Sequence, residues 1–245
     1  ENEFKLQPED LERAITPKTR ALLLNYPNNP LGAILEKEDV EKLAKVVKKH
    51  DIIVISDEVY DKIIYDENKH FSMAQIPEVK KQVLIINGFS KTYAMTGWRL
   101  GYIVGDEEII SNMPKLQESI VSCIPMFIQK AAADAINGSQ EAVDKMVNDY
   151  YRRRDILVDG LNDIPGFKCL KSGGSFYAFA NIKFFGKTSQ EFAEEILREA
   201  KVAGVPGSAF GEMGEGYMRF SFANSDENLK EAVRRIKEYV VKKYN

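Results

Sequence analysis

The stretch NGFSKTYAMTGWRLG, residues 87–101, sets one lysine, Lys91, among glycine, serine, threonine and aromatic residues, with Arg99 eight positions on. A lysine whose ammonium form is disfavoured by burial or by nearby cations becomes a nucleophile at neutral pH. An arginine presents a planar fork that suits phosphate or carboxylate oxygens. Ser90 adds a hydroxyl beside the lysine. Three other stretches carry complementary groups: YPNNPLG (26–32) holds Asn29 ahead of Pro30, SDEVYD (56–61) holds Asp57, Glu58 and Tyr60, and MRFSFA (218–223) holds Arg219. If the strands carrying the first of these are neighbours, an amide, a carboxylate, a phenol, an amine and the Arg99 guanidinium converge on one crevice and would suit an anionic, aromatic, carbonyl-bearing ligand. Each also has an ordinary reading: Lys91 as a turn lysine, Asp57 as a cap, Tyr60 as a half-buried ring, Asn29 as turn chemistry, Arg219 on a solvated sheet face. For Arg99 the ordinary reading, a charge entering an edge strand, is weakened because the GYIVG that follows reads as buried.

The elements that must position these groups are legible as apolar runs. ALLLN (21–25), IIVIS (52–56) and VLIIN (83–87) do not alternate in polarity and read as strands buried on both faces. Between the first two, Val40, Leu43, Ala44 and Val47 recur at helical spacing, which predicts a crossover helix and a parallel strand pair. In open parallel sheets ligands collect at the carboxyl ends of strands, and Asn29, Asp57, Glu58, Tyr60, Ser90 and Lys91 follow those runs. RLGYIVG (99–105) is a fourth predicted strand. Helices are predicted over 107–121 and 125–137, the second opened by Pro125 and closed by Gly138. From about 139 a long helix is predicted with Ala142, Met146, Tyr150 and Leu157 on its apolar side. A Gly-marked turn and strand (172–182), a helix capped by Ser189, the strand of Arg219 and a closing helix begun by Ser225 or Asp226 complete the chain. In that strand Met218, Phe220 and Phe222 face one way, and Arg219 and Ser221 the other. The pattern divides the α/β chain into residues 1–140 and a smaller α+β part, 141–245.

Composition removes several function classes. The 245 residues include 34 basic and 37 acidic ones, a net charge of −3 with no basic block, so no nucleic-acid footprint exists. No apolar run is long enough to span a bilayer, and no signal-peptide pattern appears. The two cysteines, Cys123 and Cys169, lie in apolar surroundings and read as reduced core residues of a cytosolic protein. With only two histidines, His50 and His70, neither a His-rich metal site nor a Ser-His-Asp triad is expected.

Taken in order, the motifs resemble one family. GFSKTYAMTGWRLG is similar to the lysine signature of class I aminotransferases, pyridoxal-phosphate enzymes of fold type I. NNPLG resembles their Asn-Pro-x-Gly turn, DEVY their Asp-x-x-Tyr motif, and MRFSFAN their C-terminal arginine strand. The resemblance implies part of a large domain with a mostly parallel sheet flanked by helices, a smaller C-terminal α+β domain, and pyridoxal 5′-phosphate held through its aldehyde by Lys91. It implies that Asp57 faces the pyridine nitrogen, that Tyr60 and Asn29 bond the phenolic oxygen, and that Ser90 and Arg99 hold the phosphate. Arg219 and Asn29 would take the substrate carboxylate, and the Asn29–Pro30 bond is expected to be cis. Gly88 departs from the serine that many members carry three residues before the lysine. Gly88, Gly97 and Gly101 are expected to let the backbone turn closely between Lys91 and Arg99.

The implied reaction moves an amino group between an L-amino acid and a 2-oxo acid, with an aspartate-like or broad donor range, in a cytoplasmic homodimer. A C–S β-lyase of the same fold shares these motifs; a non-catalytic fragment that only self-associates is the reading from another class. The resemblance covers only the later part of a typical member, whose N-terminal region brings the first strands, a Gly-rich phosphate turn and a ring-stacking aromatic. The expectation is therefore a chain without that part, with exposed sheet edges and apolar surface that self-association covers.

Overall fold

The computed structural model describes residues 2–244. The chain forms two compact units, Glu1–Pro27 with Ile34–Lys145, and Asn28–Ala33 with Met146–Asn245.

In the first unit α1 (Pro8–Ala14) precedes β1 (Ala21–Asn25), and α2 (Lys37–His50) leads to β2 (Ile53–Asp57). β3 (Val83–Gly88) runs into the one-turn helix α3 (Phe89–Thr92), followed by β4 (Gly101–Val104). The sheet order is β1-β2-β3-β4. β1 pairs β2 in parallel with Asn25 opposite Asp57, and β2 pairs β3 in parallel with Asp57 opposite Ile86. β4 is antiparallel to β3, with Gly101 opposite Gly88.

The helix α2 forms where the sequence pattern places it. Its start is secured by the Glu36 N–H, which donates to Asp39 Oδ2 at 3.1 Å. Val40, Leu43, Ala44 and Val47 are all buried and pack with Leu11, Leu24, Leu35, Ile52, Val54, Met73 and Val83. At roughly 2 kcal/mol for each large side chain removed from water, this face is what holds the helix to the sheet.

Only one face of the sheet is covered in this way. Leu24 and Val54 are buried, while Leu23 is 70% exposed and Ile86 36%. β4 is exposed at every position. The expectation of strands buried on both faces, and of a buried GYIVG, is thus corrected. β4 has β3 as its one sheet neighbour, and an unbroken apolar run marks a strand without revealing what covers it. The 107–121 stretch divides into α4 (Glu107–Ile110) and α5 (Met113–Val121). Pro114 in the first turn of α5 has no N–H to continue the first helix. α6 (Met126–Asn137) begins after Pro125 and ends at Gly138. Leu116 and Ile120 on α5 and Phe127 on α6 are exposed.

In the second unit the later turns of α7 (Glu141–Asn162) are followed by β5 (Lys168–Cys169), β6 (Tyr177–Asn181), α8 (Ser189–Glu199), β7 (Val205–Pro206), β8 (Tyr217–Ser221) and α9 (Asp226–Tyr244). The sheet order is β5-β6-β8-β7, antiparallel throughout. Met218, Phe220 and Phe222 are buried and Ser221 is exposed, as the alternation predicts. The cap of α8 is Thr188 rather than Ser189: its Oγ1 accepts from the Glu191 N–H at 3.2 Å, and Glu191 Oε2 accepts from the Thr188 N–H at 3.0 Å. Ser225 Oγ accepts from the Asn228 N–H at 3.2 Å and so opens α9. At the start of α7, which lies in the first unit, Val143 is buried and Ala142 exposed, one position off the predicted stripe. No helix among the described residues is long and apolar enough to cross a membrane.

The two cysteines differ. Cys169 is buried, and burial pushes its thiol up to about 12. Cys123 is exposed, which corrects its assignment to the core; it follows Ser122, where the chain leaves α5 at a φ of 61°. A thiol reagent at pH 8 is expected to label Cys123 rapidly and Cys169 only on unfolding, read by peptide mass spectrometry.

The three glycines of the lysine stretch also differ. A Cβ on Gly101 would lie 2.9 Å from the Asn87 carbonyl oxygen, and one on Gly88 3.2 Å from that of Leu100. Around Gly97 nothing lies within 4 Å, so the close-approach role expected of it does not hold. Gly101→Ala is expected to destabilise the fold by about 1–3 kcal/mol, and Gly97→Ala by less than about 0.5 kcal/mol, measured as shifts in urea midpoint.

Candidate active site

Parallel pairing brings the carboxyl ends of β1, β2 and β3 to one edge of the first sheet. Asp57 ends β2. Its backbone carbonyl accepts from the Tyr26 N–H and from Asn25 Nδ2, both at 3.3 Å. Its Oδ1 accepts from the Val59 N–H at 3.2 Å, so one carboxylate oxygen also serves the turn. The next N–H, of Glu58, donates to the Ile86 carbonyl on β3 at 2.9 Å. Tyr60 is buried at 3% exposure, and its carbonyl accepts from the Ile63 N–H at 2.9 Å.

Ser90 and Lys91 sit in α3, directly after β3, and both are half-buried. The stretch is tied back to the strand that follows it by the Phe89 N–H, which donates to the Leu100 carbonyl at 3.2 Å. Phe89 is buried and its ring lies 5.5 Å from that of Tyr93 and 5.8 Å from that of Tyr102. Arg99 is exposed, with a φ of 53°, and its Nη1 donates to the Thr96 carbonyl at 2.8 Å. Beside Lys91, Thr92 Oγ1 is buried without a hydrogen-bond partner, alone in this among the described side chains. The sequence-predicted Asp57, Tyr60, Ser90, Lys91 and Arg99 all belong to this unit.

Asn29 and Arg219 belong to the second unit. The turn Asn28–Ala33 closes on itself: the Asn28 N–H donates to the Ala33 carbonyl at 2.9 Å, and the Leu31 N–H to Asn28 Oδ1 at 3.0 Å. The Asn29–Pro30 bond is cis, as expected, and so is Tyr26–Pro27. The Gly32 carbonyl accepts from the N–H groups of Gly173 and Gly174 at 2.9 and 3.1 Å. Gly32 has a φ of 68°, and a Cβ there would lie 2.4 Å from the Ser172 side chain, so only glycine fits. Arg219 Nη1 donates to Asn29 Oδ1 at 2.8 Å. Its guanidinium lies over the rings of Tyr177, at 4.3 Å, and Phe210, at 4.9 Å.

Two groups escaped sequence reasoning. Tyr177, at the start of β6, and Phe210 flank Arg219, yet nothing in SGGSFYAF (172–179) or PGSAFG (206–211) marks which ring meets the arginine. Glu58 was noted only as a neighbour of Asp57, but it is 4% exposed and bonded to His70 and Ser72. The spacing 58, 70, 72 follows no helical or strand period.

The dual duty of Asp57 separates two substitutions. Asp57→Asn keeps an oxygen for the Val59 N–H and is expected to leave stability within about 0.5 kcal/mol. Asp57→Ala removes it and is expected to cost about 1 kcal/mol, measured by urea denaturation.

The sequence profile of the family described as Aminotransferase class I and II matches residues 1–236. An aspartate aminotransferase of Pyrococcus abyssi is 47% identical over 245 residues, 99% of this chain and 63% of the relative. Aromatic-amino-acid aminotransferase 2 of Thermococcus litoralis is 45% identical with the same coverage. The crystal structure of an aromatic aminotransferase from Pyrococcus horikoshii superposes with a TM-score of 0.97 at 45% identity, over 99% of this chain and 65% of that one. The aspartate aminotransferase of Rhizobium meliloti superposes with a TM-score of 0.92 at 40% identity, over 96% and 61%. The chain thus spans somewhat under two thirds of the length of the relatives it matches. By profile, sequence and fold alike, this chain belongs to the class I and II aminotransferase family.

Proposed function

We propose that this chain carries the cofactor-binding and carboxylate-binding residues of a pyridoxal-phosphate-dependent aminotransferase acting on L-amino acids and 2-oxo acids. The observation that carries the reading is that Asp57 ends β2 and Lys91 follows its parallel neighbour β3, at the same edge of one sheet. In this reading the division at residue 140 separates part of the cofactor domain from the small domain, with the turn Asn28–Ala33 grouped with the latter.

The residues present fit the cofactor by their chemistry. Lys91 offers an amine for the aldehyde, Ser90 and Arg99 a hydroxyl and a guanidinium for the phosphate, and Asp57 a carboxylate for the ring nitrogen. Tyr60 and Asn29 would be the residues to hold the phenolic oxygen, each having a donor to offer. Bound pyridoxal phosphate supplies the electron sink that no side chain provides.

The chain's own residues do the rest. Asp57 holds a proton on the ring nitrogen. Arg219 grips the substrate carboxylate; Asn29 occupies one of its N–H groups and the rings of Tyr177 and Phe210 hold its plane, which leaves the other donors preset for two carboxylate oxygens. Lys91 Nζ would take the proton from the substrate Cα. Exposed apolar side chains on α5 and α6 support a homodimer, and the free, exposed Cys123 suits a reducing cytoplasm.

The test is chemical. Pyridoxal phosphate is added, borohydride reduces any carbon–nitrogen link, and peptides are mapped by mass spectrometry. The label is expected on Lys91, and unlabelled Lys91 overturns the reading. Lys91→Ala is expected to abolish oxo-acid-dependent transamination. Arg219→Lys keeps the charge but loses the fork; losing one charge-assisted bond, about 1.5–3 kcal/mol, is expected to raise KM roughly 10–100-fold with a smaller change in kcat.

A further inference from the structure

We propose that the buried carboxylate of Glu58, together with His70 and Ser72, is a positioning device for the turn that carries Asp57 and Tyr60; the inference rests on the aminotransferase reading above. Glu58 stands between those two residues in the chain and is itself bound inside the first unit. Its Oε1 accepts from Ser56 Oγ at 2.9 Å and from Ser72 Oγ at 2.6 Å, and its Oε2 from His70 Nε2 at 2.7 Å. Burial alone would raise this carboxyl, but the His70 bond and charge and the two serine hydroxyls bring it below its usual value, so it stays ionised at neutral pH. The other carboxylate of the turn, Asp61, is pushed the opposite way by burial, against a hydrogen bond from Asn87.

The backbone of Glu58 is fixed on two sides. Its N–H is tied to Ile86 on β3, and its carbonyl accepts from the Asp61 N–H at 2.9 Å. The donors on the side chain come from a segment with its own anchor. Ser72 Oγ accepts from the Ala74 N–H at 3.3 Å, and Met73 is fully buried in the core around α2. The segment therefore presents its hydroxyl and imidazole at set positions. A buried carboxylate deprived of a donor must take up a proton or move toward water. Either change is felt by Asp57 and Tyr60, because they are one and two residues away. The side chain of Glu58 is bonded to Ser56, His70 and Ser72, none of them a cofactor group assigned above, and it acts through its neighbours.

Three variants test this in the whole chain. His70→Leu and Ser72→Ala each remove a donor, while His70→Gln keeps an N–H near the place of Nε2. Three quantities are read: the pyridoxal phosphate concentration that half-saturates borohydride labelling of Lys91, the absorbance of bound cofactor against pH, and hydrogen exchange of the Val59 and Asp61 amides without cofactor. His70→Leu and Ser72→Ala are expected to raise the half-saturating concentration about tenfold, shift the absorbance titration and speed exchange at both amides. His70→Gln is expected to restore all three. Variants that lose thermal stability but keep cofactor affinity and spectrum would reduce the network to a structural prop and overturn the proposal. If the unsubstituted chain is labelled at Lys91 and the variants match it, this proposal alone falls. If the unsubstituted chain is not labelled, the aminotransferase reading falls and takes this one with it.

Discussion

Parallel pairing of β1, β2 and β3 is the constraint from which the first unit follows. Strands that run the same way must end at the same edge, and whatever the chain places after each of them is delivered there. The register is specific: Asn25, Asp57 and Ile86 lie abreast. α2 enforces it, because its buried stripe of Val40, Leu43 and Val47 packs on one face of β1 and β2. A slip of one residue would turn Leu24 and Val54 away from that helix. Local chemistry then refines what pairing begins, with Asp57 Oδ1 closing the turn and the narrow passage at Gly88 and Gly101 holding the lysine stretch against the strand that follows.

In the second unit the controlling element is a guanidinium rather than a sheet edge. Arg219 lies on the non-core side of β8, where a solvated position would leave it free to sweep through many rotamers. Two rings and one amide remove that freedom. Preorganisation of this kind matters because Arg side chains otherwise lose much rotamer entropy on capturing an anion.

Much of this was legible in the sequence. The apolar stripe of α2 and the alternation at 218–222 each carry a period that physical chemistry reads directly, and β3 shows as a short unbroken apolar run. The lysine and arginine motifs were recognised by resemblance, since no periodicity distinguishes Lys91 from the many other lysines of the chain. What stayed hidden was relational. That β4 is exposed depends on what lies beside it, not on Tyr102, Ile103 and Val104 themselves. Cys123 sits among apolar letters that happen to face outward. Thr188 rather than Ser189 caps α8 because two adjacent hydroxyls look alike until the backbone turns. Glu58 finds its partners 12 and 14 residues away, a distance set by a loop.

The turn at 28–33 carries a further consequence. It is flanked on both sides by chain of the first unit, yet its contacts are with the second. The Ser175 hydroxyl reaches the Asn28 carbonyl across 147 positions, and Arg219 reaches Asn29 across 190. On the ribosome this hexapeptide is made well before Ser175 and Arg219, which lie 147 and 190 positions downstream of Asn28 and Asn29. Neither unit gathers its residues from a simple division of the chain, so nascent chains stalled before residue 172 would hold an unfinished second unit and an unclaimed turn. Contacts of such separation also place the last ordering step late and make it slow.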